Sequence, residues 1–303
     1  MVKEICTSYG VLKGILSCDY NLYGEISSCV LNKKNEIVVG GKKLVPIYEN
    51  YSVRRKDMFS IKFYDDGYIK AICLQDEEVI NTKVGNFEVE KITFYKGEKI
   101  KRLFLLDGKL TGYWSEEDEY NLAVDYKFSL KFAEFSAKVI SLQFYEDGNL
   151  KSLTLWPKEE VNIKVGETLI PIRIGFSLYD NGKLKSCEPK KSTKVKTIIG
   201  EIEAYDINAI GIHGECNSLV FNESGNVKSL ITSTDSIEIF NENDKLIKRY
   251  FPKHKQNHII STWDEVETIK IEFIEENVIF NELDIYKIDI YKFKIINKKI
   301  LTL

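Results

Sequence analysis

The chain has 303 residues, enough for a substantial hydrophobic core, and its 43 basic and 46 acidic side chains leave a formal charge of −3. That balance carries no electrostatic footprint for nucleic acid or an anionic membrane. Hydrophobic residues at 44% and charged ones at 29% exclude an intrinsically disordered chain, and three histidines leave little material for histidine-based metal or acid–base chemistry.

Residues 1–20 hold no apolar stretch of the kind a secretory signal needs, because Lys3, Glu4, Lys13 and Asp19 interrupt it. No run approaches the length of a transmembrane helix. Cys6, Cys18, Cys29, Cys73, Cys187 and Cys216 form no Cys-x-x-Cys pair and read as reduced, mostly buried thiols of a cytoplasmic protein. Lysine outnumbers arginine 38 to 5 and isoleucine also reaches 38, the bias of an AT-rich, bacterial coding sequence.

A repeat dominates the chain. Phe63-Tyr64-Asp65-Asp66-Gly67-Tyr68-Ile69-Lys70-Ala71 recurs as Phe144-Tyr145-Glu146-Asp147-Gly148-Asn149-Leu150-Lys151-Ser152. It returns as Leu178-Tyr179-Asp180-Asn181-Gly182-Lys183-Leu184-Lys185-Ser186 and as Phe221-Asn222-Glu223-Ser224-Gly225-Asn226-Val227-Lys228-Ser229. Worn copies lie at Tyr23 to Ser28, Phe94 to Arg102 and Asp107 to Leu110, and Tyr9 to Gly14 reads as one more. A second glycine follows at near-constant distance: Gly24 to Gly41 is 17 residues, while Gly67 to Gly85, Gly148 to Gly166 and Gly182 to Gly200 are each 18. Each unit therefore carries two glycine-marked turns.

An acid or Asn before Gly between apolar residues is a hairpin signal. A three-residue loop, such as Glu146-Asp147-Gly148, with Gly67, Gly148, Gly182 and Gly225 in left-handed conformation, places Phe144 opposite Leu150. It then predicts Gln143 opposite Lys151 and Leu142 opposite Ser152. In that register the small residues (Ser28, Ala71, Ser152, Ser186, Ser229) point inward. Lys70, Lys151, Lys185 and Lys228 point outward with Tyr64, Tyr145 and Tyr179, as a ladder.

Between residues 97 and 137 the repeat is disturbed. Ser115 with Asp118 three places on predicts a capping box for a short inserted helix. The acids there lack the spacing and glycine of a calcium loop. Beyond Gly225 the pattern fades through Asn241 to Leu246, and Lys253 to His258 reads as a polar loop. Residues 263–303 read as a C-terminal β cap on an array spanning 1–262.

Nucleophile-elbow, Walker, zincin and dinucleotide motifs are all missing. His254 with His258 and His213 with Cys216 are the only metal-ligand pairings in sight, and both read as ordinary loop or core residues, so no metal or other cofactor is expected. Trp114, Trp156 and Trp263 read as covers for exposed sheet. The ladder is the best binding candidate: lysine suits phosphate or carboxylate, and tyrosine adds stacking area.

The run Phe/Leu-Tyr-x-Asp-Gly-x-Leu-Lys-Ser, as at Tyr145-Glu146-Asp147-Gly148-Asn149-Leu150-Lys151, resembles the MORN-variant repeats of bacterial proteins, some of them antitoxin-like. That resemblance implies stacked antiparallel hairpins and a binding or scaffolding role; the unit here departs from it by being longer and by adding the second glycine turn with its Leu-x-Pro-Ile flank. The sequence thus predicts an all-β array of antiparallel hairpins, as a solenoid or a continuous meandering sheet. Its expected role is non-enzymatic binding or scaffolding with a protein partner, without nucleic acid or membrane insertion. The alternative is an enzyme with its site near Trp114 to Tyr120.

Overall fold

The computed structural model describes residues 4–49, 52–55, 58–211, 214–255 and 265–297. Strand accounts for 58% and helix for 4%, and the sheets are mostly antiparallel, so the protein is all-β. The chain divides into two compact units, residues 1–128 with 136–156 and residues 129–135 with 157–303.

In the first unit a single apolar row crosses the sheet. Cys18 lies opposite Cys29, and the row runs on through Ile61, Ile72, Ile92, Leu103 and Leu142 to Leu153, one residue per strand. From Cys29 onward every member is at most 1% exposed. Burying one such aliphatic side chain contributes about 1.5–3 kcal/mol. The second unit repeats the device through Phe176, Cys187, Leu219, Leu230, Ile271 and Phe280.

The hairpin tips are built alike. Tyr64 N–H donates to Tyr68 O (2.8 Å) and Gly67 N–H to Tyr64 O (2.9 Å), and the same pair of bonds closes the tips at Tyr145 and Tyr179. Gly67, Gly148, Gly182 and Gly225 have φ of +80°, +84°, +78° and +86°. At the tip from Asn241 to Lys245, Asp244 takes the left-handed place at φ +57°, so the hairpin persists where the sequence pattern faded.

The register beyond the tip differs from the expected one. Phe144 does face Leu150, but Gln143 faces Ser152 and Leu142 faces Leu153, because a β-bulge sets Lys151 between them. The same shift follows Phe63 opposite Ile69, Leu178 opposite Leu184 and Phe221 opposite Val227. The small residues consequently do not share the apolar row's face. Ser28, Ala71, Ser152, Ser186 and Ser229 stand on the other face, opposite Asp19, Lys62, Gln143, Ser177 and Val220. The cause is the spacing of apolar residues. Leu150 and Leu153 are three apart, and only an extra residue lets both reach one side of a strand whose side chains alternate.

The second glycines also sort differently. In Thr82 to Gly85 and Thr197 to Gly200 the threonine Oγ1 donates to the glycine carbonyl (2.8 and 2.7 Å) across a two-residue loop. Thr7 to Gly10 is built the same way (2.9 Å), so Gly10 belongs to this hairpin type and not to the tyrosine-tip repeat. Two further expectations are corrected. Lys253–Lys255 is a strand paired with Glu265–Glu267 rather than part of a loop. Of the cysteines only Cys29, Cys73 and Cys187 are buried; Cys18 is half-buried, and Cys6 and Cys216 are exposed.

The residues after 263 supply strands Ile269–Ile274, Asn277–Phe280 and Asp284–Lys287 to the second unit's main sheet. Strand Lys292–Asn297 joins a separate three-stranded sheet with Asp235–Phe240 and Leu246–Tyr250.

A Cβ on Gly148 would meet only the end of Lys83, 3.8 Å away, so substitution there tests backbone strain alone. Gly148→Val should destabilise by more than about 1 kcal/mol and Gly148→Asn by clearly less, since Asn tolerates the left-handed region. Urea melts of the two variants check this.

Candidate functional site

The ladder residues come together in pairs at the hairpin tips. Lys70 Nζ lies 5.5 Å from the Tyr64 ring centre, Lys151 Nζ 5.5 Å from that of Tyr145 and Lys185 Nζ 5.7 Å from that of Tyr179. Lys228 has no such ring, because Asn222 stands where the other tips have tyrosine. Lys70 and Lys151 belong to the first unit, Lys185 and Lys228 to the second. A fourth pair escaped the sequence reading: Lys101 Nζ is 5.5 Å from the Tyr95 ring centre. Its signal lay in the worn copy, where Tyr95 and Lys101 keep their places while Gly97 sits one residue early.

The tyrosines are half-buried, and three of their hydroxyls have backbone partners. Tyr64 Oη donates to Phe94 O, Tyr95 Oη to Phe144 O and Tyr179 Oη to Phe221 O, each at 2.8 Å. Every one of these carbonyls belongs to the residue that opens the next tip along the sheet. Burial pushes the Tyr95 and Tyr179 phenols up, which keeps them as donors. What each tip leaves to solvent is the lysine and the acids of the loop.

The inserted segment is pinned by charge. Ser115 and Asp118 form the expected capping box on helix Glu116–Leu122. Arg54, from the 3₁₀ turn Val53–Arg55, bonds Glu90 with Nη1 (2.7 Å) and Nη2 (2.6 Å), and Glu119 with Nε (2.7 Å) and Nη2 (2.7 Å). Glu119 also accepts from Gly108 N–H (2.7 Å) and the Trp114 indole (2.6 Å). Burial opposes ionisation of Glu119, but Arg54, Trp114 and Gly108 outweigh it and hold the carboxyl below its ordinary range. Both oxygens of Glu119 are therefore occupied, in the segment where an active site was the alternative expectation.

Beside this centre Cys73 Sγ donates to Asp107 Oδ2 (3.2 Å) and Lys91 Nζ bonds Asp107 Oδ1 (2.9 Å). Burial pushes the Cys73 thiol far up and raises Asp107 as well. A thiol kept protonated is a poor nucleophile.

The second unit holds a buried carboxylate that no sequence pattern announced. Glu188 is 1% exposed, lies opposite Arg173 in the sheet, and accepts from Ser218 N–H (2.8 Å) and Oγ (2.9 Å). Burial pushes its carboxyl up to about 7, against the Ser218 bonds that favour the charged form. Ser177 and Ser186 hydroxyls meet at 2.6 Å next to it along the chain, and Asn217 Nδ2 donates to Ser186 Oγ (2.7 Å).

Of the remaining expected residues, Trp156 is buried, whereas Trp263, His213 and His258 lie outside the described residues. Among the described residues no group of three His, Cys, Asp or Glu side chains has metal-holding geometry. No family model, curated protein or solved structure matches the chain.

Two opposite pH effects follow. Glu119, with a depressed folded pKa, contributes stability that is present above its reference value of 4.5 and lost as pH falls through the folded value. Glu119→Gln should cost about 3 kcal/mol near neutral pH, because it leaves Arg54 partly uncompensated. Glu188, with a raised folded pKa, works the other way: stability declines as pH rises from 4.5 to about 7. Glu188→Gln should remove a decline on the order of 3 kcal/mol across that window. Chemical denaturation of wild type and both variants at pH 3, 4.5, 6 and 8 separates the two, the Glu119 effect below 4.5 and the Glu188 effect above it.

Proposed function

We propose that the protein is a non-enzymatic binding and scaffolding protein that presents its hairpin tips to a protein partner. The observation that carries this reading is the repetition of one geometry: a lysine 5.5–5.7 Å from a tyrosine ring centre at four tips, three of the rings tied by a 2.8 Å bond to the next tip. An active site is a unique constellation, whereas one element repeated within a unit suits contact with a partner. The MORN-variant resemblance supports the same role. A site among Trp114 to Tyr120 has against it that the Glu119 oxygens and the Trp114 indole are spent on holding the helix.

The chain is expected to work in the cytoplasm. No helix among the described residues is long and apolar enough to cross a membrane. Nucleic acid is not an expected partner, since the tips mix acids with their lysines: Lys96 Nζ, for example, bonds Asp66 at 2.8 Å.

The variant K70Q/K151Q/K185Q/K228Q tests the proposal. It should stay folded and lose no more than about 2 kcal/mol, the scale of a few exposed cation–π contacts. In pull-downs it should lose a partner that wild type retains at low salt and releases at high salt. An unchanged set of captured proteins would sink the reading.

A further inference from the structure

The second unit carries a depression where four turns meet. One is Lys131-Phe132. The others are Gly166, the tip at Gly182 and Lys183, and the tip from Asn222 to Gly225; Lys164, Val165, Leu184 and Phe221 complete the lining. Lys164 N–H donates to Phe132 O (3.0 Å), which ties the first wall to strand Val161–Val165. Gly182 and Gly225 have positive φ and open space where a Cβ would stand, so the tips offer bare backbone to the opening.

The floor is apolar: Phe132, Val165 and Leu184 are half-buried, and Phe221 is 2% exposed. The Phe132 ring stands edge-on to Phe176, with centres 5.4 Å apart, which fixes it in place. The rim is basic. Lys131 Nζ reaches only the carbonyl of Asn181 (3.3 Å) and Lys183 Nζ the carbonyl of Glu223 (2.9 Å). Lys164 is exposed, and among the described residues none of the three ammonium groups has a carboxylate within 4 Å. The acid of the lining is Glu223, whose Oε2 faces Asn181 Nδ2 at 3.5 Å. Three uncompensated lysines over an apolar floor thus face one carboxylate.

We infer that this depression binds an acidic peptide segment through one large apolar side chain seated on Phe132, Val165 and Leu184, with flanking carboxylates on Lys131, Lys164 and Lys183. The inference rests on the partner-binding role proposed above and names the partner's chemistry. Charge complementarity selects the occupant. A hydrophobic anchor in a recess with charged groups on its rim is how peptide grooves obtain both affinity and register. A nucleic-acid strand would need a sustained basic track and free ring faces for its bases; Phe221 is buried and Phe132 is packed against Phe176. A bilayer would need a protruding apolar surface, and here the apolar residues are recessed between tips.

The test presents the 303-residue chain to a display library of random ten-residue peptides, with K131Q/K164Q/K183Q and, as control, K196Q/K245Q/K287Q, three exposed lysines of the same unit outside the depression, in parallel. Equal melting temperatures establish that both variants are folded. Wild type should enrich peptides with Asp or Glu on both sides of Phe, Leu or Ile. A synthetic copy of the commonest one should bind K131Q/K164Q/K183Q about tenfold or more weakly and the other variant with near wild-type affinity. Enrichment without acids, no enrichment, or equal binding to K131Q/K164Q/K183Q would overturn the inference. Co-sedimentation with phosphatidylserine vesicles in place of peptide binding would also overturn it. Pull-down partners that survive those failures leave the wider binding role standing, whereas their loss along with the peptides removes both.

Discussion

In each unit, successive hairpins are joined by one apolar side chain per strand, set in a row that crosses the sheet. The row from Cys18 to Leu153 in one unit and from Phe176 to Phe280 in the other supplies the main apolar contact between successive strands. A two-residue period would normally secure it, but these strands begin with apolar residues three apart. The bulge after each tip reconciles the two. It sets aside one residue, the ladder lysine, and returns the next apolar side chain to the row. The lysine is thus not an incidental surface charge. It occupies the position just past each tip that the strand ladder leaves unpaired.

The same shift explains the other face. Small residues fall opposite Asp19, Lys62, Gln143, Ser177 and Val220, and several are buried. Their hydroxyls are used locally: Ser28 Oγ donates to Asp19 Oδ2 at 2.5 Å, and Ser152 Oγ to Gln143 Oε1 at 3.3 Å. Buried polar atoms so paired avoid the cost of desolvation without a partner. One face is held by apolar burial and the other by short polar contacts, with the bulge deciding which residue goes where.

Much of this was legible in the sequence. The tips were, because type and position of the turn residues depend only on local backbone geometry, and the capping box at Ser115 was for the same reason. The bulge was missed although its mark, the three-residue spacing Leu150 to Leu153, is present in every strong copy; reading the turn alone fixed one pair and misplaced the next. The hairpins of the Thr82-Lys83-Val84-Gly85 kind were half seen, as glycines without their threonines. The Arg54–Glu119 pair was beyond reach: 65 residues separate the partners, and the unit's fold alone brings them together. Glu188 was hidden likewise, since its environment comes from Ser218, 30 residues on.

Tips come in two chemical forms. At Tyr64, Tyr95 and Tyr179 the hydroxyl is completed by a backbone carbonyl of the hairpin that follows. Where the first loop residue is asparagine, at Asn21, Asn222 and Asn241, the side-chain oxygen accepts two N–H groups of its own loop, from Ser224 and Asn226 in the case of Asn222. Each of those three tyrosine tips leans on its successor's backbone, whereas an asparagine tip closes its own loop and, at Asn21, reaches the next tip through the side chain of Asp65 at 3.1 Å. A hairpin copied in between two tyrosine tips would find a carbonyl to bind and a hydroxyl to receive. One copied in after an asparagine tip would have no such hydroxyl to receive. The first loop residue thus decides whether a duplicated hairpin receives on its own backbone a hydroxyl from the hairpin before it.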